Sequence, residues 1–383
     1  MSTYDFGSGR TDPGSFPTEA LAEAASVAVR ELGAELVRYP GDMGHQGLRE
    51  VMAMRESKRE GIDVSADHIA LMNGSMQAVT LIAEALMEGP GLRPELSRRD
   101  AIVTEELTYS GTIGAYKRLG AELVGVPLDE QGMRVDALAD VLADLRRKGT
   151  PPRFIYTLAT YQNPTGSVMP RQRRLELLEV ARYYETIVVE DNCYGDVHFE
   201  GPEEPALYAL DDSPDVLYIG SLSKILGPGV RLGYLLARPP MLGRILGRRY
   251  DGGNSLLAAA SCAALFRDRL WQHLAETNAI LKEKRDAVFA GLEEGASDLC
   301  TWSRPVGGMF IWIEFPEDVD RDRLMALCAE RGIVVARGQG FHIRREDVPA
   351  IRLAFGFASL EAIREGVPLL AECIHEARVP VMA

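Results

Sequence analysis

The sequence contains few cysteines, and their arrangement excludes two kinds of structure. Five cysteines are scattered over 383 residues, and no two of them form a C-x-x-C pair. An odd and scattered set is not a disulfide framework, and it lacks the ligand spacing of a structural zinc site. The sequence therefore predicts free thiols in a reducing compartment and no bound metal.

Long hydrophobic runs are also missing from the sequence. No stretch reaches the roughly 18 consecutive apolar residues that a transmembrane helix needs. The first residues, MSTYD, do not form a basic segment followed by an apolar run, which is the pattern of a signal peptide. Together with the free thiols, these absences predict a cytoplasmic protein.

Basic residues are also fewer than acidic ones. Lys and Arg number 42 against 56 Asp and Glu, which gives a formal net charge of −14. Two short basic runs, 171–174 and 244–249, fall in segments with helical patterning, and we interpret them as solvated helix faces. We therefore expect neither a nucleic acid nor a membrane surface as a partner.

Short apolar runs alternate with helical patterns through the middle of the chain. Because 383 residues exceed one ordinary core, two domains are expected. Strands that alternate with helices predict an α/β fold with a mostly parallel sheet covered on both faces. The seven predicted strands are 69–72, 101–104, 123–126, 154–158, 187–189, 216–219 and 232–236.

The pattern changes to α+β after about residue 258. A long helical pattern there precedes predicted strands at 309–315, 333–336 and 351–355. The chain is therefore predicted to have three parts. Residues 1–40 form an N-terminal arm and helix that join the small domain, residues 41–260 form the large domain, and residues 261–383 form the small C-terminal domain.

The stretch 218–234 carries the most suggestive chemistry. Ser221 and Ser223 offer hydroxyl groups, and Lys224 offers an amine. The guanidinium of Arg231 suits a phosphate. A lysine among phosphate-binding groups is what an enzyme needs to hold pyridoxal phosphate (PLP) as a Schiff base. A surface lysine beside a turn is the alternative interpretation of these residues alone.

Polar residues follow several predicted strands, at the end of the sheet where α/β proteins bind ligands. Ser75 opens a helix whose free N–H groups suit a phosphate, although an ordinary helix cap would look the same. Asp191 could pair with the pyridine nitrogen of PLP, or act as a helix cap or ion-pair partner. Asn163 and Tyr194 could bond the phenolic oxygen. Tyr109 could stack on the ring or simply pack in the core.

Five motifs that occur in order along the chain carry a resemblance to a known family. They are NGSMQA at 73–78, QNPTG at 162–166, EDNCY at 190–194, SLSKILGPGVRLGY at 221–234 and IRLAF at 351–355. The chain resembles the fold-type I, PLP-dependent aminotransferases of class I/II. It is similar to the branch that contains 2-aminoadipate and kynurenine aminotransferases and the effector domains of MocR-type regulators. The resemblance runs from about Asp5 to the C-terminus.

The resemblance implies roles for the residues at the strand ends. Lys224 would be the Schiff-base lysine and the general base and acid at the substrate Cα, with Asp191 and Tyr194 completing the catalytic set. Arg352 would bind the substrate α-carboxylate as a bidentate pair. Tyr39 matches a tyrosine that family members lend to the phosphate site of the neighbouring subunit, which implies a homodimer with shared active sites.

The same resemblance defines two sets of binding residues. The residues expected to bind PLP are Ser75, the backbone of Met76, Tyr109, Asn163, Asp191, Tyr194, Ser221, Ser223, Lys224, Arg231 and Tyr39. The residues expected to bind substrate are Arg352, Asn163, Gly9 and Arg10.

The implied activity is transfer of an amino group between an α-amino acid and a 2-oxo acid. Asn192 stands where the branch usually has a second aspartate, and Arg10 replaces a commonly apolar residue, so the substrate stays open. The departures also leave open another PLP-dependent reaction of secondary metabolism: elimination, replacement or cyclisation. A non-catalytic ligand-sensing domain is a third alternative. A dinucleotide site is excluded because Leu232 occupies the place of the third glycine.

Overall fold

The computed structural model describes residues 3–87 and 100–379. These two segments contain fifteen strands and eleven α-helices. The strands are β1 (Tyr4–Asp5), β2 (Ile69–Met72), β3 (Ala101–Glu105), β4 (Glu122–Val126), β5 (Leu128–Asp129), β6 (Gly132–Met133), β7 (Phe154–Thr157), β8 (Ile187–Asp191), β9 (Val216–Ser221), β10 (Gly233–Leu236), β11 (Thr301–Trp302), β12 (Phe310–Glu314), β13 (Ile333–Val334), β14 (Ala336–Arg337) and β15 (Ala350–Ala354). The helices are α1 (Thr18–Leu32), α2 (Gln46–Glu60), α3 (Ser75–Leu86), α4 (Ser110–Arg118), α5 (Val135–Arg147), α6 (Arg171–Tyr183), α7 (Leu207–Leu210), α8 (Met241–Leu246), α9 (Leu256–Gly295), α10 (Arg321–Glu330) and α11 (Leu360–Glu376). None of these helices is long and apolar enough to cross a membrane.

Seven strands form the main sheet of the described chain, in the order β2-β10-β9-β8-β7-β3-β4. Strand β10 is antiparallel to its two neighbours, and the remaining pairs are parallel. Several strands, including β7 and β9, are buried along their whole length, as expected for a sheet covered by helices on both faces. The predicted seven-stranded, mostly parallel α/β sheet is therefore confirmed, and the predicted strand ends differ from the observed ones by at most two residues.

This topology brings the predicted polar residues together. Strands β2, β3, β7, β8 and β9 point the same way, so the segments that follow them meet at one edge of the sheet. Helix α3 begins directly after β2, and helix α4 begins five residues after β3. The sheet edge is therefore lined by helix starts and by short polar turns.

A second, antiparallel sheet lies in the later part of the chain, in the order β11-β12-β15-β14. The predicted strand 333–336 is divided, because Ile333–Val334 pairs with β1 whereas Ala336–Arg337 pairs with β15. The pairing of β1 with β13 attaches the N-terminal arm to this part of the molecule. Helix α9 runs without a break through residue 260, so the predicted domain limits stay a prediction.

Candidate active site

A cavity of about 150 Å³ lies at the edge of the main sheet where the parallel strands end. Most of its lining residues have polar or charged side chains, and residues that follow β2, β3, β7, β8 and β9 all contribute to it. Its lining residues are Ser75, Met76, Tyr109, Leu158, Asn163, Asp191, Cys193, Tyr194, Ser221, Ser223, Lys224, Pro228 and Arg231. The structure thus brings together the residues predicted to bind PLP, with the exception of Tyr39.

One end of this cavity is suited to an anion. Helix α3 begins at Ser75, and its N-cap is Gly74, which has a positive φ of 77° and no side chain to bond the first N–H groups. The guanidinium of Arg231 lies close by: a Cβ added at Gly74 would stand 2.7 Å from Arg231 Nη2. Free helix N–H groups, serine hydroxyls and a guanidinium together make a phosphate site.

A buried carboxylate lies in the same cavity. Asp191 ends β8, and its Oδ2 accepts a hydrogen bond from the Tyr156 hydroxyl at 2.6 Å. Its Oδ1 is buried and has no hydrogen-bond partner in the described part of the chain. Burial raises the pKa of Asp191. A donor or a positive charge brought to Oδ1 would therefore be bound strongly.

The amine of Lys224 is buried between the cavity and the N-terminal arm. Its Nζ donates to the backbone oxygen of Gly9 at 2.7 Å and lies 5.5 Å from the centre of the Tyr194 ring. Burial lowers the pKa of Lys224, because the charged form loses hydration. The neutral, nucleophilic form of this amine is therefore more favoured than it would be in an exposed lysine.

A larger cleft of about 710 Å³ shares five lining residues with the cavity. Arg352 lies in its wall, where Nη1 donates to Asn163 Oδ1 at 3.0 Å and Nη2 donates to the Gly7 oxygen at 2.7 Å. The buried Nε of Arg352 has no partner among the described residues. Burial lowers the pKa of Arg352 to about 10. A buried cation without a carboxylate beside it is a site for an anionic ligand.

The remaining predicted residues divide into two groups. Gly9 and Arg10 line the cleft, and the Arg10 side chain bonds Asp5 at 2.6 Å and covers the Phe357 ring at 3.8 Å. Tyr39 lies outside both the cavity and the cleft, and 87% of it is exposed. In the single chain, therefore, nothing brings Tyr39 to the predicted phosphate site.

Sequence reasoning missed Tyr156, which positions Asp191. Its hydroxyl lies 3.1 Å from Thr112 Oγ1 as well as 2.6 Å from Asp191 Oδ2. The signal in the sequence is weak, because a tyrosine inside a buried strand is typical of any core. Cys193 and Leu158, which also line the cavity, were not predicted either.

Comparison with known proteins decides the family. The family model for aminotransferase class I and II matches residues 3–366. The chain belongs to the class I and II aminotransferases. An aromatic-amino-acid aminotransferase 1 from Thermococcus litoralis is 33% identical over 367 residues, which is 95% of this chain and 86% of that relative. An HTH-type transcriptional regulator of Bacillus subtilis is 30% identical over 96% of this chain and 72% of the regulator. The solved structure of a multiple substrate aminotransferase from Thermococcus profundus has a TM-score of 0.90 at 32% identity, covering 98% of this chain and 92% of that one.

An aminotransferase of this class is a PLP-dependent enzyme that acts on an amino acid and a 2-oxo acid. The cavity fits this cofactor on two structural observations. The end at Ser75 and Arg231 supplies donors and positive charge for a phosphate. The buried Oδ1 of Asp191 lacks the partner that a protonated ring nitrogen would provide. The alternative of a PLP-dependent lyase or replacement enzyme is not favoured by these relatives.

Proposed function

We propose that Lys224, Asp191 and Arg352 have separate roles in amino transfer. The observation that carries the proposal is that Asp191 and Arg352 are buried and Lys224 is half-buried, and none of the three has a counter-ion at hydrogen-bond distance among the described residues. All three line the cavity or the cleft beside it. Buried charges are normally paired, so three unpaired ones at adjacent sites indicate charged ligands.

Asp191 is proposed to hold the protonated ring nitrogen of the cofactor. Bound PLP supplies an electron sink for the negative charge that develops at the substrate Cα. Asp191 keeps that sink effective because its carboxylate favours the proton on the nitrogen, and Tyr156 fixes the direction of the carboxylate. Asn163, Tyr194 and Tyr109 line the wall between these groups and are proposed to orient the ring.

Lys224 is proposed to bind the cofactor covalently and then to move the proton at Cα. Its lowered pKa makes the neutral amine, which can accept a proton, more accessible than it is in an exposed lysine. The contact with the Gly9 oxygen places the N-terminal arm over the amine. A Cβ at Gly9 would lie 3.0 Å from Phe310 Cζ, so a larger residue at this position would have to displace the Phe310 ring or the arm. The arm then limits the access of water to the reacting atoms.

Arg352 is proposed to bind the α-carboxylate of the substrate. Its two terminal nitrogens are held by Asn163 and the Gly7 oxygen, so the guanidinium has a fixed direction before substrate arrives. The guanidinium carbon of Arg352 lies 4.3 Å from the centre of the Phe310 ring. A substrate carboxylate would form a bidentate ion pair with Arg352, which compensates the guanidinium for its lost hydration. The substrate Cα would then lie toward Lys224.

We also propose a homodimer in which Tyr39 reaches the phosphate site of the partner. Tyr39 is 87% exposed, and two other large side chains are exposed to a similar extent: Val37 at 85% and Tyr250 at 89%. A Cβ added at Gly252 would lie 2.9 Å from Tyr39 Cδ1, so the loop that carries Tyr250 runs beside Tyr39. Neighbouring exposed apolar groups of this kind are typical of an interface. A cytoplasmic location stays a prediction, motivated by the five free cysteines.

Subunit complementation tests the shared site. Inactive Tyr39→Asp and Lys224→Ala proteins are mixed under conditions of subunit exchange, which native mass spectrometry verifies. Half of the random dimers are hybrids with one intact site, so about a quarter of the wild-type activity should return. A fully active monomer, or exchange without recovery of activity, would contradict the shared site.

The reaction itself is tested by stopped-flow absorbance of the PLP-loaded protein. Each common amino acid is mixed with it in a single half-reaction, and a 2-oxo acid is added afterwards. Amino transfer predicts a loss of the cofactor band with the amino acid and its return with the 2-oxo acid. Release of ammonia, or a spectrum that no amino acid changes, would favour another reaction.

A further inference from the structure

The N-terminal arm contacts two of the residues to which we assign roles in amino transfer. The Gly9 oxygen accepts a hydrogen bond from Lys224 Nζ at 2.7 Å, and the Gly7 oxygen accepts one from Arg352 Nη2 at 2.7 Å. Both oxygens belong to residues 7–11, which we name the arm segment. Because the arm segment forms neither helix nor strand, its position depends on what holds its two ends.

Backbone hydrogen bonds hold the first end of the arm segment. The Phe6 nitrogen donates to the Val334 oxygen at 2.8 Å, and the Phe6 oxygen accepts from the Ala354 nitrogen at 2.7 Å. These bonds continue the pairing of β1 with β13, and the Phe6 side chain is buried. This end is therefore fixed to the C-terminal part of the fold.

A buried ion pair holds the second end. Lys284, on α9, donates from Nζ to Asp12 Oδ1 at 2.9 Å and to the Gly356 oxygen at 2.9 Å. The side chain of Lys284 is 5% exposed and that of Asp12 is 15% exposed. Gly356 also lies beside the arm segment, because a Cβ added there would stand 2.6 Å from the Arg10 oxygen. One amine thus joins Asp12 to the turn after β15.

Loss of this pair would act mainly on the arm. A buried charge that loses its partner is costly, and Asp12 could avoid that cost by moving out into water with the end of the arm. Lys284 lies on the buried face of α9, with the buried residues Leu281 and Val288 about one turn away on either side. The expected response is therefore local opening of the arm segment and not unfolding of the helix.

We infer that Lys284 is a positioning residue, which keeps the arm segment over Lys224 and Arg352 through its ion pair with Asp12. Lys284 lines neither the cavity nor the cleft, so it would act through the two backbone oxygens of the arm segment. The inference rests on the proposed function where it gives the arm segment a role in substrate binding. The position of the arm segment itself can be measured without cofactor or substrate.

Hydrogen–deuterium exchange of the protein without PLP, followed by mass spectrometry, measures that position. In Lys284→Met, the amides of residues 5–12 should exchange about tenfold faster than in the wild type, because the arm segment opens more often. Asp12→Asn should change exchange in the same direction, because it removes the other charge of the pair. Lys284→Arg should lie closer to the wild type than to Lys284→Met, because arginine retains the positive charge. Amides of β12 should keep the wild-type rate in each variant.

Lys282→Met is the matched control. Lys282 lies on the same helix two residues earlier, and its side chain is 41% exposed beside Asp286 and Glu200. The substitution removes the same charge from an exposed ion pair. It should leave exchange of residues 5–12 within about twofold of the wild-type rate.

Stopped-flow half-reactions of the PLP-loaded protein measure the effect on substrate binding. An amino acid that reacts with the wild type is varied in concentration, which separates its apparent Kd from the limiting rate. In Lys284→Met the apparent Kd should rise by about tenfold, because Arg352 loses the Gly7 contact that fixes its direction. A merely structural role would lower the amount of active protein and leave the apparent Kd unchanged.

Several outcomes would overturn the inference. They are wild-type exchange of residues 5–12 in Lys284→Met and Asp12→Asn, equal effects of Lys284→Met and Lys282→Met, faster exchange in β12 as well as in the arm, and an unchanged apparent Kd. Asp12→Asn, which leaves Lys284 in place, gives the same test if Lys284→Met does not fold. Failure of every amino acid to react with the wild type would contradict the proposed function instead, and the exchange rates would still decide whether Lys284 holds the arm segment.

Discussion

Two clusters of buried charged side chains in this chain differ in how their atoms are paired. The first, which we name the Arg55 cluster, lies between α2 and the main sheet, and its members are Arg55, Glu56, Arg59, Asp196, Tyr218 and Tyr234. The second surrounds the cofactor cavity and consists of Lys224, Asp191 and Arg352.

Pairing is complete in the Arg55 cluster. Arg55 Nε donates to Asp196 Oδ1 at 2.9 Å, Arg59 Nη2 donates to Glu56 Oε2 at 2.6 Å, and the Tyr234 hydroxyl also donates to Glu56. In the second cluster, Asp191 Oδ1 and Arg352 Nε are buried and have no hydrogen-bond partner within residues 3–87 and 100–379. Since both clusters are buried, burial alone does not distinguish them. We interpret the paired cluster as one that stabilises the fold and the second cluster as the proposed ligand site.

The largest expected effect comes from Asp191→Asn. The variant should retain PLP through the phosphate end of the cavity but lose about a thousandfold or more in kcat/KM, because an amide does not stabilise the ring proton. Without PLP its thermal midpoint should not fall, since no native ion pair is broken. In Glu56→Gln the midpoint should fall, because three donors lose a charged acceptor. Near-normal turnover of Asp191→Asn would remove Asp191 from its proposed role.

Arg55→Met tests the paired cluster. Removing one partner of a buried pair leaves Asp196 with less compensation and should cost about 3 kcal/mol or more of unfolding free energy. Urea unfolding measures this loss. Arg147→Met is the control, because Arg147 is 73% exposed beside Asp144 and should change stability by about 0.5 kcal/mol or less. Equal effects of the two substitutions would contradict the assignment of the Arg55 cluster to stability.

Glu105→Gln gives a third comparison. Glu105 is a buried carboxyl group that accepts several hydrogen bonds, and no cation pairs with it among the described residues. Thr157, Thr108 and the Leu158 nitrogen donate to it, and burial raises its pKa to about 7. Between pH 4.5 and about 7, Glu105 therefore keeps its proton in the folded protein, whereas the unfolded chain has released it. The stability due to Glu105 is present below pH 4.5 and is lost as the pH rises to about 7.

Thermal unfolding between pH 5 and 8 measures this dependence. The stability difference between wild type and Glu105→Gln should decrease with pH up to about 7 and be constant above it. A difference that stays constant over this range would show that the carboxyl group is already ionised in the folded protein.

The smallest expected effect is that of Tyr156→Phe. The change removes the 2.6 Å bond to Asp191 and should lower kcat/KM by about tenfold while PLP is retained. Tyr116→Phe is the matched control: its ring lies 5.7 Å from Tyr156, and its buried hydroxyl has no partner among the described residues. Tyr116→Phe should change kcat/KM by about twofold or less. Similar losses in both variants would indicate a packing effect.

Much of this arrangement could be predicted from the sequence, because it depends on local patterns. Fully apolar runs placed the seven strands, and the rule for carboxyl strand ends brought Ser75, Asn163, Asp191 and Lys224 to one cavity. Tyr156 could not be predicted as the partner of Asp191, because that contact depends on side-chain direction across two neighbouring strands. The same holds for the Arg55 cluster, in which α2 meets residues up to 178 positions away.

Three other features could not be predicted from a single sequence. No spacing rule predicts the pairing of Arg10 with Asp5, or of Arg337 with Asp322 and Asp347. The proposed role of Tyr39 depends on a second copy of the chain. The divided strand at 333–336 arises because its two halves pair with different partners.

The central claim is that charged groups without a counter-ion mark the cofactor site, and a comparison of Lys224 with Lys284 tests it most directly. Among the residues that the structure describes, Lys224 makes one hydrogen bond, to the Gly9 oxygen, whereas Lys284 is paired with Asp12 at 2.9 Å and with the Gly356 oxygen. The PLP-loaded protein is reduced with borohydride, digested and mapped by mass spectrometry. The account predicts one pyridoxyl group per chain on Lys224, and none on any lysine of the Lys224→Ala protein. A pyridoxyl group on Lys284, or at the wild-type level in Lys224→Ala, would contradict it.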